Sequence, residues 1–161
     1  MAERDPYVFK NHSSTPPEIL RVITTVLSSW DGEETDYEYV KMFNPDGGVL
    51  DVHTTPAKGH DEIHALRAQM INPVDGPVVK VQHHVDTLFI APGHPEGGKV
   101  EVVFNGTLVT YLKNGEEIST DYTSLVRMSP GEGGQLRADY WRAFLDRSNV
   151  AEAIGKMFTS Q

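Results

Sequence analysis

The sequence predicts an α+β domain in which helices come first and a long antiparallel meander of strands follows. Three observations carry this expectation. Apolar side chains recur at helical spacing between helix start and stop signals in the first seventy or so residues. After Gly76-Pro77 four β-like stretches, near 78–91, 99–113, 116–128 and 135–145, are separated by the glycine-rich turns PGHPEGG, NG and PGEGG. The 161 residues are enough for one domain with a substantial core, and they show neither an internal repeat nor a linker.

The first fifteen residues lack periodicity and carry Pro6, His12, Ser13, Ser14 and Thr15. A loose arm is expected over 1–15, with a single domain over 16–161. Thr15-Pro16-Pro17-Glu18 reads as a helix start, with Thr15 as N-cap, Pro16 at the first helical position and Glu18 in the capping-box place. Ile19, Ile23, Val26, Leu27 and Trp30 follow on one face, and Asp31-Gly32 ends the helix. A second, short helix is expected over 35–43, stopped by the turn Asn44-Pro45-Asp46-Gly47-Gly48. Gly48 to Thr54 alternates like a strand. Gly59-His60-Asp61-Glu62 opens a third helix through Ile63, Leu66 and Met70, closed by Asn72-Pro73. Asn114-Gly115 is a two-residue hairpin signal within the meander. A last helix is expected near 149–158.

Composition excludes several functions. With 14 basic and 23 acidic residues the chain carries −9 at neutral pH, which argues against a nucleic-acid surface and against attraction to an anionic membrane. No cysteine is present, so disulfides, thiolate nucleophiles and cysteine-bound metals are ruled out. Apolar runs are too short to span a membrane and MAERDPYVFK has no apolar signal region, so a cytoplasmic protein is expected.

Two motifs are decoys. Gly93-His94-Pro95-Glu96-Gly97-Gly98-Lys99 has phosphate-loop spacing, but Val100 stands where a hydroxyl is needed and a strand follows instead of a helix. His60 and His64 have metal-ligand spacing, but Asp61 occupies the place of a zinc protease's glutamate and no third ligand follows at a fixed offset. No metal and no cofactor is expected.

The order of elements resembles the nuclear transport factor 2-like fold, and within it the SnoaL-like and scytalone dehydratase-like branch. Trp30-Asp31, Phe43-Asn44-Pro45-Asp46-Gly47, Val81-Gln82-His83-His84-Val85 and Tyr140-Trp141-Arg142-Ala143-Phe144-Leu145-Asp146 carry the resemblance, which runs from about Pro17 to Val150. It implies a curved, cone-shaped sheet, mixed or antiparallel, packed against three N-terminal helices with a short C-terminal helix, enclosing an apolar pocket. Scytalone dehydratases place an aromatic-Asp pair at the end of the first helix and a Gln-His pair on a strand, where Trp30-Asp31 and Gln82-His83 stand here. The family's second histidine falls near Thr110 or Tyr111, and its Ser and Asn fall near Asp121 and Thr123, so scytalone itself is not the expected substrate.

The resemblance thus implies His83 and Asp31 as a catalytic pair, with Tyr39, Asn105, Tyr111, Asp121 and Thr123 as donors to a ligand carbonyl. A carboxylate beside an imidazole fixes its tautomer, so the histidine can take a proton from carbon and return it to oxygen. Strand alternation then sends His83 into the pocket and His84 away from it. The implied activity is a cofactor-independent lyase or isomerase on an apolar oxygenated small molecule such as a polyketide or terpenoid intermediate. A non-catalytic binding or dimerisation module is the alternative, and Asp31, Asp121 or Asp139 meeting without a histidine would instead signal an epoxide hydrolase. Apolar residues of both parities in VEVVFNGTLV predict a homodimer through the outer face of the sheet.

Overall fold

The computed structural model describes residues 3–52, 54–92 and 96–159. Helix α1 spans Pro17–Asp31, α2 Glu38–Lys41, α3 Gly59–Met70 and α4 Ser148–Thr159. Strands are β1 Val49–Asp51, β2 Ala57–Lys58, β3 Val78–Ile90, β4 Val100–Leu112, β5 Glu117–Pro130 and β6 Leu136–Leu145. They form one curved six-stranded sheet in the order β2-β1-β6-β5-β4-β3. The pairing is antiparallel except that β1 runs parallel to β6, so the sheet is mixed. The expected α+β architecture is therefore present, with the strand near 48–54 shorter and β2 added. Among the described residues no helix is long and apolar enough to cross a membrane.

The start of α1 differs from expectation by one residue. Pro16 is extended (φ −53°, ψ 136°) and Pro17 is the first helical residue. A residue before proline is driven out of the helical region, so the first proline of the pair cannot begin the helix. Thr15 does not cap it; its hydroxyl donates to the Asn11 carbonyl at 3.0 Å. Ile19, Val22, Ile23, Val26, Leu27 and Trp30 are buried along one face of α1, which delivers Asp31 against the sheet. Arg67 of α3 fixes that end, donating to the carbonyls of Trp30 and Gly32, both at 2.9 Å. A guanidinium at the negative end of a helix satisfies carbonyls that have no partner within it.

Within the segment expected to be a loose arm, the stretch 6–11 is packed. It lies along the open edge of β3: Val85 N–H donates to Pro6 O at 2.8 Å and Lys10 N–H to Asp86 O at 3.0 Å. The Asn11 side chain accepts from Leu88 N–H at 3.1 Å and donates to Leu88 O. Phe9 is buried in the core. An edge strand leaves backbone groups unpaired, and these residues satisfy them.

Strand β3 carries an irregularity between Val85 and Thr87, opposite Gly106 of β4. A Cβ at Gly106 would overlap the carbonyl oxygen of His84, so the close approach of β3 and β4 requires glycine there. Gly106→Ala is expected to destabilise the fold by about 1–3 kcal/mol through forced backbone displacement. Urea unfolding with an unchanged midpoint would contradict this close packing.

Candidate active site

The concave inner face of the sheet, the C-terminal half of α1, the end of α3 and the first turns of α4 enclose a cavity of about 410 Å³. Its wall is mostly aliphatic and includes both tryptophans of the chain, Trp30 and Trp141. The volume lies in the usual range for small-molecule sites, roughly 300–1,000 Å³.

His83 lines this cavity. Its Nδ1 lies 2.6 Å from Asp31 Oδ1, and its backbone N–H donates to Asp31 Oδ2 at 2.7 Å. Oδ2 also accepts from the Tyr7 hydroxyl at 3.0 Å and the Gln82 side-chain amide at 3.2 Å. An acceptor-only carboxylate is the group that four converging donors demand, and it makes Nδ1–H the donor on the ring. No described protein group bonds Nε2, so that nitrogen is free to meet a ligand. The Asp31 side chain is 2 % exposed and that of His83 17 %, so the carboxylate is sealed while the imidazole keeps access to the cavity. Burial, with the Asp31 charge beside it, holds the Tyr7 hydroxyl far above its ordinary pKa, so Tyr7 remains a donor. His84 pairs with Thr107 on the outer face.

The five other residues named from sequence stand outside the cavity wall. Tyr39 is fully buried, edge-on to Trp30 with ring centroids 5.2 Å apart; burial pushes its hydroxyl up to about 12. Asn105, Asp121 and Thr123 border a second concavity of about 340 Å³ with Asp86, Gly106, Thr107, Phe144 and Tyr122, the residue it shares with the first. Tyr111 packs under the Lys80 ammonium, 5.5 Å from its ring centre. The cause is parity: even-numbered residues of β4 and β5 face inward, and Asn105, Tyr111, Asp121 and Thr123 are odd. Their inward neighbours Thr110, Thr120, Tyr122 and Ser124 line the cavity instead. Among the described residues the hydroxyls of Thr120 and Tyr122 find no hydrogen-bond partner, though both are buried, and the Tyr122 ring meets His83 edge-on at 5.3 Å. Burial and then the Asp31 charge push the Tyr122 hydroxyl far up, so it too stays protonated.

The carboxylate-only arrangement does not form. Asp31 meets His83, Asp121 is at the second concavity, and Asp139 accepts from the Asn44 amide. His60 bonds the Phe43 carbonyl at 2.8 Å and His64 stacks edge-on against Tyr37, which gives both histidines of the metal-like spacing structural partners. The phosphate-loop-like stretch includes residues 93–95, which lie outside the described residues.

A curved sheet closed by three helices around an apolar cavity is the nuclear transport factor 2-like fold. Nuclear transport factor 2 from Cryptosporidium parvum superposes on it with a TM-score of 0.58, at 13 % identity over 78 % of this chain and 90 % of that one. ActVI-ORFA from Streptomyces coelicolor matches with a TM-score of 0.64, at 15 % identity over 81 % of this chain and 96 % of that one. A protein from Catenulispora acidiphila in complex with S-DNPA matches with a TM-score of 0.59, at 22 % identity over 83 % and 95 % of the two chains. At such identities the likeness shows the fold. No protein-family model matches the chain, and no curated protein matches it in sequence.

Proposed function

We propose that the chain is a cofactor-independent acid–base enzyme of lyase or isomerase type, of the SnoaL-like kind, acting on an apolar oxygenated small molecule. The observation that carries this reading is the His83–Asp31 pair in the wall of an apolar cavity. Nε2 of His83 takes a proton from a carbon next to a carbonyl, and the resulting imidazolium faces the Asp31 carboxylate. The same nitrogen then returns the proton to another carbon, for isomerisation, or to a departing hydroxyl, for dehydration. Thr120 and Tyr122 offer hydroxyl donors to the ligand oxygen on which negative charge develops. The small molecule held by the Catenulispora acidiphila protein supports the reading of the cavity as a ligand site.

The test is solvent-deuterium incorporation, followed by NMR, into a panel of aromatic ketones and β-hydroxyketones. Exchange catalysed by the wild-type protein supports the reading. Binding without exchange across the panel reduces the cavity to a non-catalytic ligand site.

The same reading includes a homodimer through the outer face of the sheet. Phe89, Val103 and Phe144 are 58 %, 36 % and 47 % exposed, and Phe89 and Val103 are paired neighbours on β3 and β4. Adjacent exposed apolar side chains on one sheet face favour burial against a second copy. A light-scattering mass of two chains is expected; the mass of a single 17.9 kDa chain would overturn it.

A further inference from the structure

The cavity wall contains a cation for which the described residues supply no anion. Arg147 stands between the end of β6 and the start of α4, lines the cavity beside Val52 and Val150, and is half-buried. Its guanidinium donates to the Val52 carbonyl. Among the described residues no Asp or Glu oxygen lies within 4.0 Å of it. Asp146, its neighbour in sequence, is exposed and accepts the Ser148 backbone N–H at 2.9 Å.

Other arginines show the contrast. Arg127 and Arg142 have Glu101 and Asp51 as ion-pair partners. Arg67 is more deeply buried, but two carbonyls at the negative end of α1 hold it. Arg147 has one carbonyl and sits at the positive, N-terminal end of α4. Burial lowers its pKa from the ordinary value, yet arginine remains charged in proteins. A half-buried, unpaired guanidinium costs free energy, and a planar fork of donors is suited to a carboxylate.

We infer that Arg147 is the anchor for an anionic group of the ligand, so that the cavity takes an apolar acid whose carboxylate meets the guanidinium. The apolar remainder of such a ligand extends along the aliphatic wall toward His83, which places the reacting carbon away from the charged end. The inference rests on the reading of the cavity as a ligand site and names the substrate class for it.

The experiment is calorimetric titration of the wild-type protein, Arg147→Met and Arg147→Lys with 2-naphthoate and its neutral isostere 2-naphthamide. Wild type is expected to bind the acid more tightly, and Arg147→Met to lose about 10–100-fold for the acid, the value of a charge-assisted hydrogen bond, with amide binding unchanged. Arg147→Lys keeps the charge and is expected to retain most of the preference. This second variant keeps the test sound should methionine loosen the Val52 contact. Equal affinities for acid and amide in all three proteins overturn the anionic anchor and leave the cavity standing as a ligand site. Failure of wild type to bind either compound overturns both readings together.

Discussion

His83→Ala is expected to lower carbon-acid exchange, or turnover of any substrate found, by about 10²–10⁴-fold, the usual contribution of a positioned acid–base group. The fold should survive, because the substitution removes a ring from a cavity wall. Asp31 keeps three of its four donors: the His83 backbone N–H, the Tyr7 hydroxyl and the Gln82 amide. His84→Ala is the control. That ring belongs to the outer face opposite Thr107, so its loss should affect assembly or stability and leave the rate within a few-fold. Deuterium incorporation measured on both variants at matched pH decides the matter. A silent His83→Ala with a damaging His84→Ala would remove the proposed site.

Asp31→Asn is expected to be the more costly change because it harms both rate and stability. The asparagine amide offers one acceptor and one donor where the native group offers two acceptors. If its oxygen takes the Oδ2 place, its NH₂ faces His83 Nδ1 and forces the other tautomer, which leaves a proton on Nε2 where a lone pair is needed. If the amide is reversed, NH₂ faces the His83 N–H, Tyr7 and Gln82 donors together. Either way turnover should fall by about 10²–10⁴-fold. Stability should fall by about 2–4 kcal/mol from mismatched hydrogen bonds around a buried site. A lower urea midpoint with an unchanged slope would report the second effect, and ¹⁵N shifts of the His83 ring would report the tautomer. A variant with wild-type rate would show that Asp31 does not orient the base.

Much of the fold is legible in the chain. The helical runs of α1 and α3, the hairpin at Asn114-Gly115 and the limits of the four long strands all follow from short-range chemistry. These signals depend on residues a few positions apart, and local sequence holds them. Asp31 and His83 are 52 positions apart, and composition or spacing cannot join them. Only the resemblance to a known arrangement of elements brings them together before the structure does.

The four strand residues expected as donors lie outside the cavity wall for a reason that the sequence does contain. Val102, Phe104 and Leu108 give β4 an apolar even face, and Tyr122, Val126 and Met128 give β5 another. Even pairs with even, as in Leu108 with Thr120 and Gly106 with Tyr122, because Leu112 pairs with Glu116 across a three-residue loop where Asn114-Gly115 signals a two-residue one. Followed through, that apolar parity points to Thr120 and Tyr122, whereas matching by family position alone leads to their outward neighbours Asp121 and Thr123. A one-residue slip exchanges the two faces of a strand.

By itself the sequence determined the order of helices and strands, the limits of the long strands and the place of the hairpin. These depend on hydrophobic period and turn chemistry, which act locally. Tertiary structure alone decided that residues 6–11 seal the edge of β3, that Tyr7 completes the shell of Asp31, and that Arg147 enters the cavity wall with no carboxylate beside it among the described residues. Those contacts are made by backbone groups and single polar side chains meeting across long sequence separations. Such encounters have no periodic pattern, because what selects them is the unpaired edge or cavity that the rest of the chain creates.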